Sequence, residues 1–145
     1  MTDKIVQDPQ VTDTPALPAL DQGPFPDIEI YLKRPEMPAL LGWLDAAMGP
    51  VEATTKGGTA TVTLRAGSTD PQICVIVTNA VKGGYTSVWF KTDQTPWATD
   101  RDCALAAWAA LQIEVRCSNG GWDGLDEQGW RRFTHDGETV VNWFV

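Results

Sequence analysis

Three glycine-bearing turns divide this chain into short strands. Lys56-Gly57-Gly58, Lys82-Gly83-Gly84 and Asp136-Gly137 each stand between segments rich in β-branched and aromatic residues. That is the pattern of hairpins whose tight turns need positive backbone φ. A chain punctuated in this way folds as an antiparallel meander, and any helix it contains must pack on a face of the sheet.

The periodicity supplies the elements. In "DIEIYLK", Ile28, Ile30 and Leu32 alternate with Glu29, Tyr31 and Lys33, as a half-buried strand requires. "RPEMPALLGWLDAAMGP" places Met37, Leu40, Leu41, Leu44 and Met48 on one helical face, with Pro35 and Pro38 confined to the first turn and Gly49-Pro50 as the stop. "VEATTKGGTATVTLR" reads as a hairpin whose second strand turns Ala60, Val62 and Leu64 to one face and threonines to the other. A second pair follows in "PQICVIVTNAVKGGYTSVWFKT", where Ile73 to Val77 is apolar on both faces and predicts a strand covered on both sides, or at one end by the first helix. Thr99 caps a second helix, with Asp102 three residues on, Asp100 and Asp102 at its positive end, and Ala104, Ala107, Trp108 and Leu111 on its buried stripe. Ile113, Val115 and Cys117 then alternate inward, and the last hairpin closes the chain. The expected fold is α+β, in the order β-α-β-β-β-β-α-β-β-β, with one mostly antiparallel sheet packed against two helices.

Residues 1–27 are different in kind. They hold Pro9, Pro15, Pro18, Pro24 and Pro26 and five aspartates against one lysine, too little apolar surface to offset the entropy of ordering. They are expected to form a disordered, acidic, proline-rich arm, in which "TPALPAL" can present a polyproline II face to a partner. Residues 28–145 are expected to form a single domain, since 145 residues with 43% hydrophobic content suffice for one core. No apolar run approaches the ~20 residues that span a bilayer, and the N-terminus lacks a secretory pattern, so a cytoplasmic protein without membrane contact is expected. A formal charge of -8 argues against direct binding to nucleic acid.

Catalytic chemistry has little to work with. The one histidine, His135, falls in a hairpin turn, where a solvated side chain is the simpler reading than a metal ligand. Cys74, Cys103 and Cys117 have no paired spacing and sit on inward positions, so reduced core thiols are expected rather than a disulfide, a zinc site or a nucleophile. The pairs Asp93 with Asp100 and Asp123 with Asp126 occupy loop and cap positions where aspartate is common. The reading is therefore no catalytic residue, no metal and no cofactor.

Tryptophan is the compositional excess. Seven are present, and all but Trp43 lie in the last two fifths of the chain. Trp89, Trp108 and Trp143 occupy strand or helix positions and are expected in the core. Trp97 and Trp122 fall in loops, and Trp130 adjoins Arg131 and Arg132. Tryptophan beside arginine is the composition of a protein-interface hot spot. Asp93, Trp97, Trp122, Trp130, Arg131 and Arg132 are accordingly the expected protein-binding residues.

Two resemblances extend this reading. "IEIYLKRPEMPALLGWLDAAMGPVEATTKGGTATVTL" resembles in element order a module of the vicinal oxygen chelate superfamily, whose metal ligands have no counterparts here. "VWFKTDQTPWATDRDCALAAWAALQIEVRCSNGGW" is similar to small uncharacterised proteins of tailed phages and prophages, which implies an accessory role in a bacterial cell, such as inhibition of a host enzyme or defence complex. The leading expectation is a non-catalytic protein-binding accessory protein with a protein partner. The rivals are a small-molecule or carbohydrate-binding domain, which could extend to an enzyme using loop carboxylates, and a structural phage component.

Overall fold

The computed structural model describes residues 27–118 and 129–141. The expected arm, save Asp27, and with it Trp122, Asp123, Asp126 and Trp143, lie outside the described residues. The elements are β1 (Ile28–Lys33), α1 (Met37–Met48), β2 (Val51–Lys56), β3 (Thr59–Leu64), β4 (Gln72–Val81), β5 (Tyr85–Phe90), α2 (Asp100–Leu111), β6 (Val115–Ser118), β7 (Trp130–Thr134) and β8 (Gly137–Val141). The order is the one the sequence predicts.

All eight strands join one antiparallel sheet in the order β2-β3-β4-β5-β1-β6-β7-β8. Two hairpin meanders, β2 to β5 and β6 to β8, flank β1, which pairs with β5 on one side and β6 on the other. Each helix is thereby a crossover. α1 carries the chain from β1 to the far edge at β2, and α2 carries it from β5 past β1 to β6.

Both crossovers lie on one face, because that face of the sheet gathers the buried apolar side chains. Ile28, Ile30, Leu32, Val62, Leu64, Cys74, Ile76, Val88, Phe90, Val115, Cys117 and Phe133 are buried there with Leu40, Trp43, Leu44 and Met48 of α1 and Cys103, Ala104 and Ala107 of α2. The small residues of α2 let it approach the sheet closely. Its start is fixed by Thr99, whose Oγ1 accepts from the Asp102 amide at 3.2 Å, and its end by Gln112 in the left-handed region at φ 58. α1 has no side-chain cap; Pro38 in its first turn and Gly49 after its last set its limits. At Gly84, φ is +86 and a Cβ would lie 2.9 Å from the Arg34 side chain, so only glycine fits that turn.

Two expectations need correction. Ile73 to Val77 is not sandwiched: Cys74 and Ile76 are buried against the helices, whereas Ile73 on the other face is exposed and Val75 and Val77 are half-buried. Trp89 is not in the core. Val88 and Phe90 take the helix-covered face of β5, and strand alternation turns Trp89 to the opposite one, where it is 36% exposed.

Candidate functional site

The face of the sheet opposite the helices carries a different chemistry. One rung crosses all eight strands, running Lys56, Thr59, Val77, Ser87, Tyr31, Arg116, Arg132, Thr139. Lys56, Thr59 and Val77 form its β2 to β4 end, and aromatic and charged groups fill its middle. Among the described residues no helix lies on this face.

Its centre is a hydrogen-bonded cluster around Glu114. Tyr85 donates its hydroxyl to Glu114 Oε2 at 2.7 Å, and Arg116 Nε donates to the same oxygen at 2.8 Å. Arg132 Nε lies 3.9 Å from it. The Arg116 guanidinium is 4.9 Å from the Tyr85 ring centroid and Lys33 Nζ is 5.9 Å from it, so one aromatic ring draws two cations to its π face. Burial would raise the Glu114 carboxyl, but the bonds from Tyr85 and Arg116 outweigh it and hold the group below the usual carboxylate range. Burial and then the bond to Glu114 push the Tyr85 phenol up to about 12.

Around that centre stand the remaining aromatics. Tyr31 and Trp130 meet edge to face at 5.6 Å, an arrangement favoured by the ring quadrupoles. Ser87 donates to Glu29 Oε2 at 2.6 Å, and the Trp89 indole donates to Asp27 Oδ2 at 2.9 Å with Lys91 Nζ 5.0 Å from its ring centroid. Tyr85, Ser87 and Arg116 are 5%, 5% and 4% exposed, although this is the side without a described helix.

The structure separates the six residues singled out in the sequence. Trp130 and Arg132 lie on the helix-free face. Arg131, one residue along β7, turns to the helix side, where it and Arg101 of α2 clasp Glu138 at 2.7 Å each. Asp93 is exposed on the 91–99 connection. Trp97, on the same connection, is half-buried: it stacks on Trp43 at 5.4 Å and 28° and leans on Phe90 at 5.4 Å, which makes it a lid on the end of the core. Trp122 is outside the described residues. Tyr31, Tyr85, Trp89, Glu114 and Arg116 complete the face and were not singled out. The outward phase of Tyr31 beside Glu29 and Lys33 was visible in the alternation; its meeting with Trp130, a hundred residues on, depends on a strand order that no local pattern encodes.

Elsewhere the reactive residue types are built into packing. All three thiols are fully buried and unpaired; burial pushes Cys74 and Cys117 up to about 12 and Cys103 well above its ordinary value, so each stays protonated. His135 is exposed with its ring edge-on to Trp108 at 5.9 Å. Trp108 itself is half-buried, with its indole Nε1 enclosed and without a hydrogen-bond partner. Among the described residues no group of three or more His, Cys, Asp or Glu side chains is arranged to hold a metal ion. No helix of the described residues is long and apolar enough to cross a membrane.

Among the described residues, Asp100 is the carboxylate placed against its charge preference. It opens α2 with Oδ1 enclosed and unpartnered, and burial raises its pKa to about 6. The Glu29 amide and the Ser118 hydroxyl bond to it and oppose that rise, while the Asp27 and Glu29 carboxylates add to it. No family model, curated protein or solved structure matches the chain.

Proposed function

We propose that this chain is a non-catalytic protein-binding domain and that it binds through the helix-free face of its sheet. The supporting observation is the division of labour between the faces: both helices pack on one, while Tyr31, Trp89, Trp130, Arg116 and Arg132 gather on the other. Aromatic rings and arginines are the residues over-represented in protein interfaces, because they cover much area and offer polar ends at little entropic cost. Arg116 and Arg132 share Glu114, which offsets their charge locally, and the chain carries -8 overall; a protein surface suits this face better than a phosphate backbone. In this reading the chain is an accessory factor acting on a host protein in a bacterial cell, the role that the resemblance of 88–122 to small phage and prophage proteins implies.

The test uses the full chain as bait in bacterial lysate, beside Trp130→Ala, Arg132→Glu and a helix-side control, Asp45→Lys. Proteins retained by the parent and the control but released by both face variants are the expected result. Retention that survives both face variants, or no retention above a scrambled bait, overturns the reading. A rise in melting temperature with a sugar or nucleotide in place of protein retention would establish the small-molecule rival.

A further inference from the structure

The sheet ends at β2, and Glu52 to Lys56 of that strand are all exposed. Edge strands invite pairing with another chain and are ordinarily blunted by a proline, a bulge or a covering element. Here the register with β3 runs unbroken from Val51↔Leu64 to Lys56↔Thr59, and the strand holds no proline. Among the described residues no element pairs with its outer side. Its backbone phase is fixed from both ends. Lys56 and Thr59 close a two-residue turn with Gly57 at φ 61, and before the strand the Pro50 carbonyl accepts from the Ala66 amide at 2.9 Å. Glu52, Thr54 and Lys56 therefore bond to β3, while Ala53 and Thr55 turn their N–H and C=O groups outward.

We propose that this edge pairs with the β2 of a second copy of the chain, antiparallel about a two-fold axis at Thr54. With Thr54 opposite its own copy, Ala53 meets Thr55 on both sides of the axis, and each such pair exchanges both backbone bonds. Glu52 then stands directly opposite Lys56, again on both sides, and opposite charges across neighbouring strands attract. Among the described residues neither side chain has an ion-pair partner in its own chain. No other register that keeps the outward groups matched does this. An axis at Ala53 or Thr55 sets Glu52 opposite Thr54 or Gly58, and an axis at Glu52 or Lys56 brings like charges together. Edge charges ordinarily repel an incoming strand; here one of each sign is so spaced that they admit this copy. On the helix side Ala53 and Thr55 are small and exposed, so α1 leaves room for the second strand. The two sheets become one, with the helices of both copies on the same side. Since the contact lies at the edge of the sheet, it neither needs nor alters the reading of the helix-free face.

Sedimentation equilibrium of the full chain, from about 1 µM to about 1 mM, tests this. One strand against one strand is a smaller contact than the ~1,200 Å² at which stable interfaces begin, so dimers are expected in the upper part of that range. Glu52→Lys and Lys56→Glu are each expected to weaken the dimer roughly tenfold, and the two together to restore it, because the double variant re-forms both pairs with the signs exchanged. Thr55→Pro removes an outward N–H, leaves the β2–β3 ladder intact and is expected to abolish the dimer. The charge variants sit at exposed positions and read the contact even if that proline disturbs the turn. Cysteines read the register. Under mild oxidation Thr54→Cys is expected to give a disulfide dimer at least about tenfold faster than Thr61→Cys, its exposed neighbour on β3. The axis brings the first pair of Cα atoms to ~4.5 Å and leaves the second three strand spacings apart, or roughly 14 Å. The native thiols are buried and take no part. A parent that is monomeric at the highest concentration, a dimer indifferent to the charge variants, or equal cross-linking at the two positions overturns the proposal. A monomeric parent whose retained lysate protein is released by Thr55→Pro overturns it too, and gives the edge to a strand of another protein.

Discussion

The two faces of the sheet are made by the same strands and obey different rules. On the helix side, the buried inward positions from Ile28 to Phe133 are apolar except Thr86 of β5, the buried apolar side chains come from six strands and two helices, and the charged groups stay at the rim, as in the Arg101–Glu138–Arg131 clasp. On the helix-free side, aromatic rings, arginines and carboxylates are interleaved and hydrogen-bonded to one another. The first arrangement is what stability requires, since apolar burial is its largest favourable contribution. The second is an inefficient way to build a core, because charges must be desolvated and then compensated. That the chain maintains such an arrangement across β5, β1, β6 and β7 is why this face, and not the helices, is proposed as the binding surface.

Substitutions on the two faces should therefore fail in different ways. The largest loss of stability is expected from Leu44→Ala, which opens a cavity between α1 and the sheet at a fully buried position and costs about 2–5 kcal/mol. Urea titration measures it, and a loss under 1 kcal/mol would break the claim that α1 seals the core. Trp97→Ala follows at roughly 2–3 kcal/mol, because it strips the stacked ring from Trp43 and Phe90. If Trp97 is instead an interface residue with little packing role, the same variant loses partner retention while its unfolding midpoint stays within experimental scatter.

Trp97 also marks how far a sequence can be read. Each element was legible because its cause is local: alternation in β1 and β3, the 3.6-residue spacing of Leu40, Leu44 and Met48, the Thr99 cap, the glycine turns. The six expected binding residues came from a local cue too, tryptophan in a loop or beside arginine, and that cue cannot tell which side of a sheet a neighbour faces. Arg131 and Arg132 are adjacent in sequence and lie on opposite faces. Trp97 sits in a loop yet rests on the core, while Trp89 sits in a strand yet is exposed, and both outcomes depend on what the strand order brings alongside. The Glu114 cluster joins residues from β5, β6 and β7 and their flanks, and β1 was placed between the two meanders by long-range pairing alone.

Asp100 stands at the seam between the faces, and its titration gives a medium-sized effect with a definite sign. Its folded pKa, about 6, lies above the ordinary value of 3.8, so the folded state holds the proton more tightly than the unfolded chain. The stability it contributes is fully present below pH 4 and is lost as pH rises through 6, by roughly 2–3 kcal/mol over that window. Asp100→Asn is expected to remove this part of the slope and leave the protein at neutral pH as stable as the parent or more so. Chemical denaturation at a series of pH values reads it directly; an unchanged slope in the variant would show that Asp100 does not carry it.

The smallest stability effect is also the sharpest test of the comparison. Trp130 is half-buried, and its described ring contact is the edge-to-face pair with Tyr31, so Trp130→Ala is expected to cost about 1 kcal/mol. Partner retention should nevertheless fall much further than for Leu44→Ala measured under conditions where both variants are folded. The two outcomes together separate a residue that holds the molecule in shape from one that the shape holds out for use. A loss of stability at Trp130 as large as that at Leu44 would mean that the aromatic cluster serves packing, and the proposed division between the two faces would fall.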